Sequence, residues 1–285
     1  ELAGLVDVTA IEQASGAIDI LVGSTPIVLG GDARGLELKF TSENGVLEAR
    51  VLVSKSQETL RLDSGAIGGL LTQRDASAQR TIEDLDSLAS SLIFEVNKLH
   101  SSGRPSARLT DTTGQLPIPL VDRSLAFNDP TNNTFANLPF GPKNGSFTVI
   151  VTDGSGNKVE RTIQIDLDGI DITGAAGFGN DTTADDLVTM LSGVPNLNAE
   201  LTSDGRLRLY TDAGYDVSFK DDTSGVLATL GINSYFQGTT AKDIGVSDAL
   251  RANPLRLTLG LGDGTNETAL AIAGLRDAGI ESLGG

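Results

Sequence analysis

The first sixty residues carry strand signals, namely short β-branched apolar runs and one run in which apolar and charged residues alternate. Residues 36–40 read Leu-Glu-Leu-Lys-Phe, and a period of two places every second side chain on the same face of a sheet. Asn44-Gly45 lies between this run and a second apolar run at residues 46–53, and an Asn-Gly pair in that position is a strong hairpin signal. We therefore predict a small antiparallel β segment over residues 1–60.

The pattern changes to a heptad spacing between residues 67 and 101. Apolar residues recur there at steps of three and four, as in a coiled coil, and neither Pro nor Gly interrupts the chain between Leu70 and Ser102. We predict one long helix over 67–101 inside a helical segment over 61–105, because Gly103 and Pro105 stop helix growth. A partner helix would cover its packing seam, although an ordinary intramolecular bundle face is an equally good explanation. The predicted seam consists of Ile82, Leu85, Ala89, Leu92, Val96 and Leu99.

The remainder of the chain mixes strand and helix signals. Residues 106–240 are predicted to form an outer α+β domain that begins with an irregular, Pro-rich lead-in over 106–145 and continues in a ββαββ order. Thr183 is the predicted N-cap of the helix at 184–192. Residues 241–285 are predicted to return to the helical segment. The predicted fold class is α+β: a long helix or partial helical bundle with inserted antiparallel β-rich domains.

Charge and hydropathy exclude two classes of partner. The 285 residues contain 38 Asp and Glu against 21 Lys and Arg, a formal net charge of -17. Binding to nucleic acid or to an anionic membrane surface is driven by basic residues, so we expect neither partner. No run of 18 apolar residues is present, which argues against a membrane-spanning helix.

The reactive side chains are too few for most enzyme chemistry. The chain has no Cys and one His, which removes thiol nucleophiles and leaves a poor basis for a zinc site or a His-dependent triad. We interpret His100 as a cap near a helix C-terminus or as a surface residue. Neighbouring acids on one short segment point in different directions, so neither of two carboxylate pairs is expected to be catalytic. These pairs are Asp84 with Asp86 and Asp221 with Asp222.

Two loops resemble calcium loops in part. Residues 153–157 and 263–267 place oxygen side chains two residues apart, but the twelfth positions hold Gln164 and Gly274 where a calcium loop has Glu. A hairpin turn and a helix N-cap explain the two segments better. The glycines at 30–31 and 174–179 lack the pattern of a phosphate-binding loop. We therefore predict no catalytic residue, no cofactor and no metal site, and hence a protein that is not an enzyme.

Four blocks of sequence, in order, resemble the FlgK family of flagellar hook-associated proteins. The resemblance extends over nearly the whole chain, and it is carried by the order and spacing of the blocks together. The blocks are Leu5-Val6-Asp7-Val8; Gly68-Gly69-Leu70-Leu71-Thr72-Gln73-Arg74-Asp75 with the helix to Glu95-Val96-Asn97-Lys98-Leu99-His100; residues 221–238; and residues 241–246 followed by Asn266 and Ala269-Leu270-Ala271.

The resemblance implies a structural role outside the cell. It suggests a subunit that is exported by the flagellar type III apparatus and joins the hook to the filament. The expected partners are copies of itself in a ring, the hook protein, the neighbouring filament-side junction protein and an export chaperone. The terminal helices typical of the family are not found, so we expect a central fragment. The alternatives are another axial protein, such as the hook protein, or a secreted carbohydrate-binding or adhesive β module. The absence of Trp and the presence of only 3 Tyr disfavour that module.

Overall fold

The computed structural model describes residues 2–43, 46–262 and 264–277, so the predicted Asn44-Gly45 turn lies outside the described residues. It combines one long helix with several antiparallel sheets, which confirms the predicted α+β class. The chain divides into two compact units, residues 1–84 and 85–285. The long helix belongs to both units, since it crosses residue 84.

The first unit contains two small antiparallel sheets. Strands β1 to β4 form one sheet in sequence order, and β5 to β7 form the other. The predicted hairpin strands are confirmed as β5 and β6, which pair from Leu36 with Val53 onwards. The described elements are α1 (Leu2–Leu5), β1 (Val8–Glu12), β2 (Ile18–Val22), β3 (Thr25–Leu29), β4 (Asp32–Ala33), β5 (Leu36–Glu43), β6 (Val46–Val53), β7 (Glu58–Thr59) and α2 (Gly65–Ser101).

The core of the first unit is small. It is formed by apolar side chains from the residue after α1, the strands and the segment before α2, and Ile67 at the start of α2 packs against it. Its buried members are Val6, Val22, Ile27, Val53 and Leu60.

Two glycines allow α2 to begin close to the rest of the first unit. A Cβ atom at Gly65 would lie 2.6 Å from the carbonyl oxygen of Leu5, and one at Gly68 would lie 2.5 Å from that of Leu62. Both distances are shorter than a real Cβ tolerates, so only glycine fits without a shift of the backbone. The next glycine, Gly69, has no such neighbour.

Helix α2 is continuous, which confirms the prediction of one long helix. Its 37 residues correspond to a length of about 55 Å at 1.5 Å per residue. The two serines in its middle cause no break. Ser90 Oγ donates to the Asp86 carbonyl at 2.7 Å and Ser91 Oγ donates to the Ser87 carbonyl at 2.8 Å, so both hydroxyl groups are satisfied within the helix.

The second unit contains two three-stranded antiparallel sheets, with strand orders β11-β10-β14 and β12-β13-β9. Two further pairs of short strands, β15 with β16 and β17 with β8, are also antiparallel. The described elements after α2 are β8 (Arg104–Pro105), β9 (Asp111–Pro117), α3 (Asn133–Ala136), β10 (Gly145–Thr152), β11 (Lys158–Ile165), α4 (Ala184–Ser192), β12 (Leu197–Leu201), β13 (Arg206–Thr211), β14 (Asp216–Lys220), α5 (Val226–Leu230), β15 (Phe236–Gln237), β16 (Gly245–Val246), α6 (Asp248–Ala252), β17 (Thr258–Gly260) and α7 (Glu267–Gly274).

The predicted ββαββ order appears as β10, β11, α4, β12 and β13. The predicted cap of α4 is also confirmed, because Thr183 Oγ1 accepts from the Asp186 N–H at 3.1 Å and the Asp186 carboxylate accepts from the Thr183 N–H at 3.1 Å. Leu187 and Leu191 on the inner face of α4 are buried in one continuous core with both three-stranded sheets. This core is much larger than that of the first unit.

The prediction of an irregular lead-in over 106–145 is wrong for residues 111–117. This segment forms β9, which pairs with β13 through Thr113 and Arg208. The strand partner lies about ninety residues further along the chain, so no local turn signal marks the pairing. Gly114 in β9 also lies close to α5, where a Cβ would approach the Leu230 carbonyl oxygen at 2.5 Å.

Candidate functional site

The six residues of the predicted seam on α2 differ in exposure. Steps of three and four place them along one side of the helix, but this apolar side is broad, so one neighbouring segment need not cover all of it. The buried members are Ala89 and Val96, the half-buried member is Leu99, and the exposed members are Ile82, Leu85 and Leu92.

A row of exposed leucines lies on the outer part of this side. Leu85 and Leu88 are each 50% exposed and Leu92 is 41% exposed. These three residues follow one another at steps of three and four, so they form one stripe along α2. We call them the leucine face. Leu88 was not part of the predicted seam, although its spacing from Leu85 and Leu92 could have identified it.

The part of α2 next to the leucine face, which contains Ile93 and Val96, is buried within the second unit. Ile93 and Val96 are 8% and 5% exposed. Asn97 anchors this part of the helix, because its amide donates to the Phe236 carbonyl at 3.1 Å and accepts from the Phe236 N–H at 2.8 Å. Asp86 adds a contact about three helix turns earlier, where its carboxylate accepts from the Ala241 N–H at 2.9 Å.

The interpretation of His100 as a cap or surface residue is wrong. Its side chain is 1% exposed and uses both ring nitrogens. Nε2 accepts from the Thr258 N–H at 3.0 Å, so Nδ1 carries the proton and donates to the Asn233 carbonyl at 2.8 Å. Burial lowers the pKa of His100, against a smaller opposing effect of the Asn233 bond. The neutral ring therefore links α2 to β17.

One member of each carboxylate pair considered from the sequence makes structural contacts: Asp86, as described above, and Asp222. Asp222 is buried and accepts from Ser224 Oγ at 2.7 Å, from the Gly225 N–H at 2.7 Å and from the Leu227 N–H at 3.2 Å. Burial raises the pKa of Asp222, while these three bonds act in the opposite direction. Its oxygens therefore hold the start of α5.

The segment at 153–157 is a hairpin turn, as predicted. Asp153 accepts from the backbone N–H of Ser155 at 2.8 Å and of Asn157 at 2.9 Å, and the turn joins β10 to β11. Hydrogen bonds to its carboxylate, led by the Asn157 side chain, lower the pKa of Asp153. The second calcium-like segment includes Asp263, which lies outside the described residues.

Three aspartates that belong to none of the predicted sites come together in the second unit. Asp166 follows β11, Asp168 lies in the next loop, and Asp181 precedes the cap of α4. One carboxylate oxygen of each lies within 4.8 Å of those of the other two. The loop between them closes on itself, because the Thr182 N–H donates to the Asp166 carbonyl at 2.7 Å and the Asp166 N–H donates to Thr182 Oγ1 at 2.9 Å.

Helix α2, with its leucine face, lies within the part of the chain that matches a known family. Residues 1–116 match the model of the flagellar hook-associated protein FlgK helical domain. This part of the chain is similar to the FlgK family. The match supports a flagellar hook-associated structural protein.

The match covers the first two of the four sequence blocks, and the blocks after residue 220 lie beyond it. A comparison with curated protein sequences gives no significant match. Among the described residues, no helix combines the length and apolar character needed to cross a bilayer.

Proposed function

We propose that this protein is a member of the FlgK family and a non-catalytic subunit that joins the flagellar hook to the filament. Its partners are further copies arranged in a ring, the hook protein, the filament-side junction protein and an export chaperone. The protein is exported through the flagellar type III apparatus and acts outside the cell. Each subunit contributes weak lateral and axial contacts, which together make a stable joint because the ring holds them at high effective concentration.

The leucine face of α2 is the observation that carries this proposal. Single exposed leucines are common on protein surfaces, whereas three on one helix stripe form a patch that a partner helix can cover. Covering the exposed half of a leucine contributes roughly 1 kcal/mol, so one subunit gains about 3 kcal/mol from this stripe. That gain is small for one contact and substantial when it is repeated around a ring.

The surroundings of the one histidine support a non-catalytic role. A cavity of about 200 Å³ borders His100, and a general base there would need a free ring nitrogen. Both nitrogens of His100 are already bonded to the backbone. Both carboxylate oxygens of Asp222 likewise accept hydrogen bonds from neighbouring residues of the chain.

The alternatives explain the observations less well. The family match is to the FlgK helical domain. An adhesive module that binds sugars would present aromatic rings to solvent. Several aromatic side chains of the second unit are instead buried, namely Phe127, Phe135, Phe147 and Phe219.

Aspartate substitutions on the leucine face test the proposal in flagellated cells. We expect Leu88→Asp and Leu92→Asp to reduce motility and the number of attached filaments, because each places a charge where an apolar contact forms. Leu120→Asp is the matched control, since Leu120 is 77% exposed and lies outside α2. Circular dichroism of the purified variants checks that they fold. Normal filament attachment with both α2 variants would contradict the proposed role of the leucine face.

A further inference from the structure

The three aspartates at the base of the 166–182 loop form a compact group of oxygen atoms. Their carboxylate oxygens lie within 4.8 Å of one another, and they come from both ends of the loop. Asp168 is exposed, Asp166 is half-buried and Asp181 is buried. None of the ion pairs among the described residues involves any of the three. The group is therefore a concentration of negative charge without a basic side chain paired to it.

The buried member of the group has an oxygen with no partner. Asp181 is 2% exposed, and its Oδ2 accepts from Asn128 Nδ2 at 2.5 Å and from the Gly169 N–H at 3.0 Å. Its Oδ1 is buried and has no hydrogen bond among the described residues. The amide oxygen of Asn128, which contacts the same carboxylate, is also buried and unpartnered. Buried oxygens of this kind are costly unless another group binds them.

We propose that Asp166, Asp168 and Asp181 bind one calcium ion. A divalent cation would supply the missing partner of Asp181 Oδ1 and would neutralise most of the charge of the three carboxylates. The site offers only oxygen donors, which suit hard cations such as calcium and magnesium. Calcium accepts irregular coordination by loop residues, whereas magnesium demands near-octahedral geometry and retains its water molecules.

The position of the site indicates what the ion does. Asp166 and Asp181 lie at the two ends of the loop, and Asp181 is bonded to Asn128 in a neighbouring segment. Calcium would tie these three parts of the chain together in the second unit. The ion stabilises that unit, and this inference is independent of the assembly role of α2. It differs from the expectation of no metal site, which was based on residues adjacent in the sequence.

Calcium titration of the 285-residue chain tests the site. The protein is stripped with a chelator and then studied by calorimetric titration and thermal unfolding with calcium up to about 5 mM, above the range of weak extracellular sites. We expect a binding heat and an increase in the Tm of the second unit. Magnesium at the same concentration should give a much smaller increase.

Two variants separate calcium binding from loop stability. Asp168→Asn removes one ligand charge, yet its side-chain oxygen can still accept from the Ile170 N–H as Asp168 does at 2.8 Å. Asp171→Asn is the control, since Asp171 accepts in the same way from the Thr173 N–H at 2.8 Å and is not in the group of three. We expect Asp168→Asn to weaken binding by about ten-fold or more, as fewer ligand charges do in calcium sites, and Asp171→Asn to leave it unchanged.

Three results would overturn the proposal. One is the absence of both binding heat and a change in Tm for the unmodified chain. Another is unaltered calcium affinity in Asp168→Asn. The third is an equal increase in Tm with magnesium, which would contradict the assignment to calcium.

Discussion

His100 shows how a single side chain can connect distant parts of the chain. Its ring is bonded to Asn233 and Thr258, which lie 133 and 158 residues away in the sequence. The bond from the Thr258 N–H requires a neutral Nε2, because a protonated ring has no lone pair to accept it. Protonation of His100 therefore removes a contact as well as placing a charge in the interior.

This chemistry predicts a loss of stability in mild acid. Burial lowers the pKa of His100 below its ordinary value of about 6.5, so the unfolded chain binds the proton first as the pH falls. The contribution of His100 is complete above pH of about 6.5 and is lost progressively below it, with a slope of at most about 1.4 kcal/mol per pH unit. Urea unfolding between pH 5 and 7.5, a window set by the ordinary histidine pKa, measures this effect.

The variant His100→Gln provides the control for the pH series. Glutamine can donate and accept a hydrogen bond but does not titrate, and the chain has no other histidine. We expect the pH dependence in this window to disappear in His100→Gln. A dependence of the same size in the variant would show that other groups cause it.

Gly68 and Gly69 provide a second test at the residue scale, because they are neighbours in the same helix with different surroundings. We expect Gly68→Ala to destabilise the first unit by about 1–3 kcal/mol, since its methyl group would press against the Leu62 carbonyl. Gly69→Ala should instead stabilise it by about 0.5–1 kcal/mol through helix propensity. Thermal unfolding measures both, and equal effects of the two substitutions would contradict this assignment.

Helix α2 has two apolar surfaces, one buried and one accessible to solvent. Ile93 and Val96 are buried and hold the helix in the second unit, whereas the leucine face stays accessible. The heptad spacing indicated apolar positions on one side of the helix but could not distinguish these two surfaces. Both follow the same three-four spacing, and only the neighbouring chain segments determine which one is covered.

Adjacent positions on α2 should therefore respond differently to the same substitution. We expect Ile93→Asp to destabilise the second unit by at least about 3 kcal/mol, because it places an unpaired charge in the interior. Leu92→Asp should cost no more than about 1 kcal/mol, since that side chain is 41% exposed. Urea unfolding of the purified variants compares the two. A similar large loss for Leu92→Asp would mean that the leucine face is already required for folding.

At the scale of the whole molecule, the two units differ in the size of their cores. The core of the first unit has five buried apolar residues, and that of the second includes both three-stranded sheets and α4. In a small core, the free energy gained by burying apolar side chains exceeds the conformational entropy lost on folding by only a small amount. The finer division into segments 1–60, 61–105, 106–240 and 241–285 remains a prediction.

This difference predicts two unfolding transitions in calorimetry, with the first unit melting at the lower temperature. We expect Leu60→Ala to lower the Tm of the first transition only and Leu209→Ala to lower that of the second only. Each substitution should reduce the free energy of unfolding of its unit by about 2–5 kcal/mol. The two substitutions are matched, because both truncate a buried leucine to alanine. A shift of both transitions by either variant would show that the units unfold together.

The sequence by itself determined the elements whose signals are local. The heptad spacing predicted α2, the apolar runs around Asn44-Gly45 predicted β5 and β6, and Thr183 predicted the start of α4. These features depend on residues a few positions apart, so the chain carries them before it folds. The ordered blocks also indicated the family, which the match over residues 1–116 supports.

Only the tertiary structure decided which distant residues meet. No local sequence pattern indicates three features of the structure. These are the pairing of β9 with β13, the burial of His100, and the convergence of Asp166, Asp168 and Asp181. The two surfaces of α2 also became distinct only when Asn97 and Ile93 were covered by later segments. The physical reason is the same in each case: burial and charge clustering depend on contacts that chain folding creates between residues far apart in sequence.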